Sequence, residues 1–200
     1  MQKITLYTAM RSNTAERVQW VLNYKNIPHR RLLVETLTQE AYTKINPYGY
    51  VPTLKVGDVT ISESMAIVEY LEACAPEPLL LPGNEIERAQ IREVCEYINS
   101  TVHPVQNRSI ISRFRPDFDA SAMQKWRVEW LTHSLGLLAH RLWKKSDYAV
   151  GDAFSMADIF VAVMYQRALR QGVLLEALPA FTQHFQSLMQ DPAIRHSAPF

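Results

Sequence analysis

The sequence has little cysteine and no clustered metal ligands. Its 200 residues include two cysteines, Cys74 and Cys95, and neither belongs to a C-x-x-C pair or a Cys/His zinc pattern. The six histidines are scattered along the chain. We therefore expect no metal, and we expect the reducing, cytoplasmic setting that is the default for a cysteine-poor chain.

Long apolar runs and an excess of one charge are also missing. No stretch approaches the ~20 apolar residues that a membrane span needs, and the apolar run in MQKITLYTAMR is too short for a signal peptide. The chain has 21 basic and 20 acidic residues, so its formal net charge is +1. These features give no reason to expect a membrane or a nucleic acid as partner.

Residues 1–76 contain short apolar runs that predict an α/β domain with the order βαβαββα. A βαβ unit implies a parallel strand pair and a hairpin implies an antiparallel one, so the sheet should be mixed. The predicted strands are Ile4–Tyr7, Arg31–Val34, Val51–Val56 and Val59–Ser62. The predicted helices are Thr14–Tyr24, Gln39–Ile45 and Glu63–Ala73.

A change of composition follows at APEPLLLPGNE, which predicts a linker at residues 77–86. Residues 87–200 contain no strand pattern and predict an all-α domain. The expected helices are Ile86–Arg113 with a kink at His103-Pro104, Ala120–Lys145, Ala157–Leu169 and Ala180–Met189.

Three small polar residues, Ser12, Asn13 and Thr14, lie where the first strand ends and the first helix begins. Asn13 followed by Glu16 fits a helix N-cap with its partner three residues on. In that arrangement Ser12 lies just outside the helix N-terminus, where unpaired N–H groups and the helix dipole favour an anion. Its hydroxyl is then either an ordinary loop serine or a hydrogen-bond donor to a bound thiolate or carboxylate.

Two further stretches have both a structural and a functional interpretation. In YVPTL, Pro52 marks a strand start or an edge strand, and a cis Val51-Pro52 bond would expose the Val51 backbone to a ligand. In SES, the residues before the third helix form either a cap or an anion site, with Glu63 available for an ammonium group and Ser64 for the anion. Together the three stretches suggest a groove for an extended anionic peptide that carries an amine.

At these residues the sequence resembles the cytosolic glutathione transferases over essentially its whole length. NPYGYVPTLKVGDVTISESMAIVEYLE resembles the superfamily's glutathione-binding segment, and VGDAFSMADI resembles its buried N-capping motif, with Ser155 and Asp158 in a folding role. Within the superfamily the sequence is similar to the zeta class, which includes maleylacetoacetate and maleylpyruvate isomerases. The similarity lies in RSNTAERV, in VHPVQN and in Arg170, although Asn13, Thr14 and Glu16 replace the serine, cysteine and tryptophan of the class signature.

The resemblance implies a thioredoxin-like glutathione-binding domain, an all-α substrate-binding domain, a homodimer, and glutathione as cosubstrate of a small-molecule reaction. It gives Ser12, with Asn13 and Thr14, the catalytic position. It gives glutathione binding to Val51, Pro52, Glu63, Ser64, His103 and Asn107, and the substrate carboxylate to Arg170, with Arg167 as the competitor. Three hypotheses remain: a cis–trans isomerase, a transferase that conjugates or dehalogenates electrophiles, and a non-catalytic scaffold.

Overall fold

The computed structural model describes residues 3–200; Met1 and Gln2, with which the predicted first domain begins, lie outside the described residues. The described chain divides into two compact units. One contains the described residues up to Leu80 together with Pro192–Phe200, and the other contains Leu81–Asp191.

The first unit is built on a four-stranded sheet. Its strands are β1 (Ile4–Thr8), β2 (Arg30–Leu33), β3 (Thr53–Val56) and β4 (Val59–Ser62), in the spatial order β2-β1-β3-β4. β1 pairs in parallel with β2 and antiparallel with β3, and β3 pairs antiparallel with β4. The predicted mixed sheet is therefore confirmed.

Helices in the first unit follow the predicted order βαβαββα, which is confirmed. They are α1 (Asn13–Tyr24), α2 (Gln39–Thr43) and α3 (Ser64–Cys74), and a short 3-10 turn at Val34–Thr36 precedes α2. α1 and α3 pack against each other. Apolar residues at helical spacing put Val18, Val21 and Leu22 of α1 and Leu71 of α3 in the core.

All the regular secondary structure of the second unit is helical within the residues described. The helices are α4 (Glu85–Glu96), α5 (His103–Val105), α6 (Arg108–Phe114), α7 (Ala120–Ala139), α8 (Met156–Arg170) and α9 (Pro179–Leu188), with a 3-10 turn at Leu175–Ala177. α8 packs against α4 and α9 and is buried along almost its whole length, so it forms the centre of this unit's core.

The expected single kink at His103-Pro104 is replaced by a longer irregularity. A π-helical segment, Tyr97–Val102, joins α4 to α5, and the helix ends after Pro104 rather than at it. Pro104 has no N–H to donate to the carbonyl four residues back, and its ring collides with that carbonyl, so the preceding turn widens. The chain then turns extended at Asn107, where α6 starts.

The last residues group with the first unit rather than with the helical one, in which the sequence placed them. A short helix, α10 (Pro192–Ser197), brings Ser197 to α1, where its hydroxyl accepts the indole N–H of Trp20 at 3.0 Å and its carbonyl accepts from Asn23 at 2.9 Å. Trp20 is fully buried, and its N–H needs a partner, which this distant segment supplies.

α8 begins with a buried capping box. The hydroxyl of Ser155 accepts the N–H of Ala157 and donates to Asp158 at 3.0 Å, while the Asp158 carboxylate accepts the N–H groups of Ser155 and Ala149 at 2.9 and 2.7 Å. Burial raises the pKa of Asp158 to about 7 despite these bonds. His184 lies 3.5 Å from the same carboxylate, and burial lowers its pKa to about 4.

Candidate active site

Ser12 is the N-cap of α1, so the expectation that Asn13 caps this helix is wrong. Ser12 has extended backbone angles, φ −79° and ψ 105°, and its Oγ accepts the N–H of Ala15 at 3.4 Å. Asn13 is the first residue inside the helix and is buried. The preceding residue, Arg11, has φ +58°, which turns the chain sharply from β1 into the helix.

Thr14 joins Ser12 to a second segment of the chain. Its Oγ1 lies 3.1 Å from the Ser12 Oγ and donates to the backbone carbonyl of Val51, also at 3.1 Å. The Val51-Pro52 peptide bond is cis. Within residues 3–200 the Val51 N–H has no protein acceptor, so it is open to a ligand. The structure therefore brings together three of the residues that the sequence singled out: Ser12, Thr14 and Val51.

The loop before Val51 is fixed by two side chains that the sequence did not single out. The Tyr42 hydroxyl and the Asn46 amide both donate to the Tyr50 carbonyl, at 2.7 and 2.8 Å, and both also bond to the Thr53 hydroxyl. Tyr42 and Asn46 are buried. Because the Tyr50 carbonyl and the Val51 N–H belong to one peptide unit, this anchoring also fixes the direction of the Val51 N–H.

The N-terminus of α3 lacks a side-chain cap. Glu63 precedes it with φ +70° and makes no side-chain cap bond, so the first N–H groups of this eleven-residue helix are not taken by a cap. Such a terminus favours an anion. Ser64, its first residue, is buried and accepts a hydrogen bond from Nη1 of Arg17 at 3.4 Å.

Arg17 is a component of this region that sequence reasoning missed. Its side chain is 0% exposed, so a permanent positive charge lies inside the first unit, beside the residue that opens α3. The available signal was its spacing. Arg17 lies three and four residues before the apolar Trp20 and Val21, so it shares their face of α1.

The helical unit assembles its own polar cluster around Gln106, which is fully buried. Arg167 can only donate, so its 3.0 Å bond fixes the Gln106 carbonyl oxygen. The Gln106 amide nitrogen then donates to Oδ1 of Asn107 at 3.0 Å, and the Asn107 amide nitrogen lies 3.2 Å from Nε2 of His103. This sequence of donors makes Nε2 of His103 an acceptor, and Nδ1 of the same ring lies 3.3 Å from the Gln106 amide nitrogen.

The two arginines of α8 have different surroundings. Arg167 donates to the side-chain oxygen of Gln106. The backbone carbonyl of Gln106 accepts from Nε of Arg127 at 3.0 Å. Burial lowers the pKa of Arg127, and the charge of Arg108 lowers it further. Arg170 is the last residue of α8 and is half-buried. The structure thus associates Arg167, through Gln106, with Asn107 and His103.

Chemically, the first unit presents the groups that an extended acidic peptide requires. The Val51 backbone can pair with a peptide backbone, the α3 N-terminus can hold a carboxylate, and Glu63 can hold an ammonium group. Ser12, at the N-terminus of α1, can donate to an anion. Within the part of the chain that is described, no group of three or more His, Cys, Asp or Glu side chains is arranged to hold a metal ion, and no helix has the length and apolar character of a membrane span.

Comparison with protein families gives two matches, one in each half of the chain. Residues 6–79 match the model described as "Glutathione S-transferase, N-terminal domain", and residues 108–192 match "Glutathione S-transferase, C-terminal domain". Together they cover more than half of the chain.

Individual relatives agree with these matches. A probable maleylacetoacetate isomerase 1 of Drosophila melanogaster is 33% identical, over 94% of this chain and 78% of its own length. A holo maleylpyruvate isomerase, a bacterial zeta-class glutathione S-transferase, superposes with a TM-score of 0.88 at 29% identity, over 98% of this chain and 96% of its own. A maleylacetoacetate isomerase of Anaeromyxobacter dehalogenans, with dicarboxyethyl glutathione and citrate in its active site, gives 0.85 at 27% identity, over 99% and 91%.

Proposed function

Because the chain belongs to the glutathione S-transferase family, and its relatives are of the zeta class, we propose that it is a glutathione-dependent cis–trans isomerase of a maleyl-type dicarboxylate. The observation that carries the proposal is the junction of Ser12, Thr14 and Val51, in which Thr14 links a hydroxyl at a helix N-terminus to the Val51 backbone, whose N–H is open. A thiol and the peptide backbone that bears it need these two groups side by side.

In this proposal the first unit binds glutathione. The Val51 backbone, at the start of the strand that Pro52 introduces, pairs with the cysteinyl residue. Ser64 and the α3 N-terminus bind the γ-glutamyl carboxylate, and Glu63 binds the γ-glutamyl ammonium group. Ser12 donates a hydrogen bond to the sulfur.

The proposed chemistry begins with the thiolate. A free thiol has a pKa of about 8.5, and a helix N-terminus with a hydroxyl donor lowers it. The thiolate sulfur adds to one alkene carbon while the π electrons move towards the neighbouring carbonyl. The adduct rotates about the new single bond, and the electrons return to expel the thiolate and leave the trans isomer. No proton is gained or lost overall. The dicarboxyethyl glutathione held by the Anaeromyxobacter relative is a thioether between glutathione and a dicarboxylate carbon chain, and this addition forms the same kind of carbon–sulfur bond.

The helical unit supplies the remaining proposed residues. His103 and Asn107 as glutathione ligands and Arg170 as the ligand of the substrate carboxylate stay predictions. So do the catalytic role of Asn13, the homodimer and the cytoplasmic location. The ordered hydrogen bonds of Gln106 support His103 and Asn107, because side chains with fixed donors and acceptors are suited to recognition.

A conventional transferase that conjugates or dehalogenates electrophiles would use the same glutathione site. A non-catalytic scaffold would not need the open Val51 N–H. The first alternative predicts product that retains the glutathionyl group, and the second predicts no turnover.

An isomerase assay distinguishes the three. Purified protein is mixed with maleylpyruvate or maleylacetoacetate, with and without reduced glutathione, and the trans product is quantified by chromatography. The proposal predicts turnover only with glutathione, without consumption of glutathione, and a loss in Ser12→Ala of about 10- to 100-fold, the effect of about 1.4–2.8 kcal/mol in the transition state. Consumption of glutathione, or isomerisation without it, contradicts the proposal.

A further inference from the structure

The hydroxyls of Ser12 and Thr14 and the backbone carbonyl of Val51 form a chain of hydrogen bonds with only one possible direction. A carbonyl oxygen cannot donate, so the Thr14 proton points to Val51. Thr14 has one proton, so the 3.1 Å contact between the two hydroxyls requires Ser12 to be the donor. The Ser12 oxygen in turn accepts the N–H of Ala15. The hydroxyl proton of Ser12 is therefore donated to the oxygen of Thr14.

From this order we infer that Thr14 is a positioning residue that couples the acidity of bound glutathione's thiol to the Val51 backbone, an inference that rests on the proposed function. Ser12 must give up its bond to Thr14 before it can donate to a thiolate. Thr14 thus competes with the sulfur for one proton, and its presence holds the pKa of the bound thiol higher than Ser12 alone would set it.

Thr14 also acts on the peptide contact. A carbonyl oxygen has two lone pairs, and Thr14 occupies one of those on Val51. The other lone pair and the Val51 N–H remain for a ligand's backbone. By holding this carbonyl, Thr14 fixes the direction of the lone pair that is left for a ligand, so its hydroxyl should strengthen glutathione binding.

These two effects have opposite signs when the hydroxyl is removed. Thr14→Val has nearly the shape of threonine but no hydroxyl, so it should bind glutathione more weakly and yet make the bound thiol more acidic. A residue with a merely structural role would weaken binding and leave the pKa of the thiol unchanged. Thr14→Ser keeps the hydroxyl and should restore both properties.

The test uses the full chain and two ligands. Calorimetric titration with S-methylglutathione, which has no thiol, measures the backbone contact alone. Titration of the bound thiolate by its ultraviolet absorbance, as a function of pH and with saturating reduced glutathione, measures the pKa. Circular dichroism melting establishes that each variant folds.

We expect Thr14→Val to raise the dissociation constant of S-methylglutathione by roughly 2- to 10-fold, the range for one hydrogen bond, and to lower the pKa of the bound thiol. Thr14→Ser should match the wild type, and Ser12→Ala should raise the pKa in either Thr14 background. An unchanged or raised pKa in Thr14→Val, or a failure of Thr14→Ser to rescue, overturns the inference while the proposed function stands. If the wild type does not bind glutathione, both fall.

Discussion

Lys25 at the end of α1 offers a sharp test of what holds the first unit together. Its side chain is fully buried, and the ammonium lies 2.7 Å from the Glu72 carboxylate of α3. It also donates to the carbonyls of Ala75, Pro76 and Pro78 at 2.7, 3.3 and 2.7 Å. One cation therefore ties α1 to α3 and to the chain that leaves α3.

Lys25→Met keeps the length of the side chain and removes the charge. Breaking a buried pair by deleting one partner costs about 3–5 kcal/mol, because the other charge loses its counter-ion. At about 2–4 °C per kcal/mol for a chain of this size, the melting temperature should fall by roughly 6–20 °C. The assay is urea denaturation followed by circular dichroism, with thermal melting as the second measurement.

Lys44→Met is the matched control. Lys44 pairs with Glu40 at a similar 2.8 Å, but the two side chains are 73% and 81% exposed, so its loss should cost no more than about 0.5 kcal/mol. Adding Glu72→Leu to Lys25→Met removes the stranded carboxylate and should recover part of the loss. Equal costs for Lys25→Met and Lys44→Met would refute the reasoning.

Three other predictions concern single positions. Glu63→Gly relieves a positive φ that costs about 1–3 kcal/mol, offset by ~0.4–1 kcal/mol of chain entropy in the unfolded state. Urea denaturation should therefore show equal or greater stability, and calorimetry should show weaker glutathione binding. A clear loss of stability would contradict this. Arg170→Met should reduce dicarboxylate turnover by roughly 30- to 1000-fold, as for a desolvated ion pair worth ~2–4 kcal/mol. This loss should exceed that of Arg167→Met. A larger loss of turnover in Arg167→Met, measured by steady-state kinetics, would reverse the assignment. Between pH 4 and 7 the raised pKa of Asp158 makes stability fall as pH rises, while the lowered pKa of His184 makes stability fall as pH drops. His184→Asn removes the second effect, so the unfolding free energy of this variant should rise on acidification from pH 7 to 4.5. A fall in its unfolding free energy would refute the assignment.

The order of elements in the first unit could be predicted because each element carries its own local signal. Apolar alternation marks the strands, and the Gly57-Asp58 turn marks the hairpin between β3 and β4. The choice of cap on α1 could not be predicted in this way. Ser12, Asn13 and Thr14 are all good capping residues, and the register depends on the backbone turn at Arg11 and on the distant contact of Thr14 with Val51.

The polar residues that sequence reasoning missed share one physical cause. Arg17 meets Ser64, 47 residues away, and Gln106 meets Arg167, 61 residues away. A local pattern shows that such a side chain is polar, but only the tertiary fold supplies the partner that makes its burial tolerable. The C-terminal Ser197, which bonds to Trp20 across 177 positions, is the extreme case.

Binding of reduced glutathione is the most direct test of the central claim, because every proposed role starts from it. The melting temperature is followed while glutathione is added to the purified protein. A ligand at a hundred times its dissociation constant stabilises the folded state by about 2.7 kcal/mol, so the account predicts a saturable rise of roughly 5–10 °C. A flat titration would contradict the account, since Ser12, Val51 and the α3 N-terminus would then form no glutathione site.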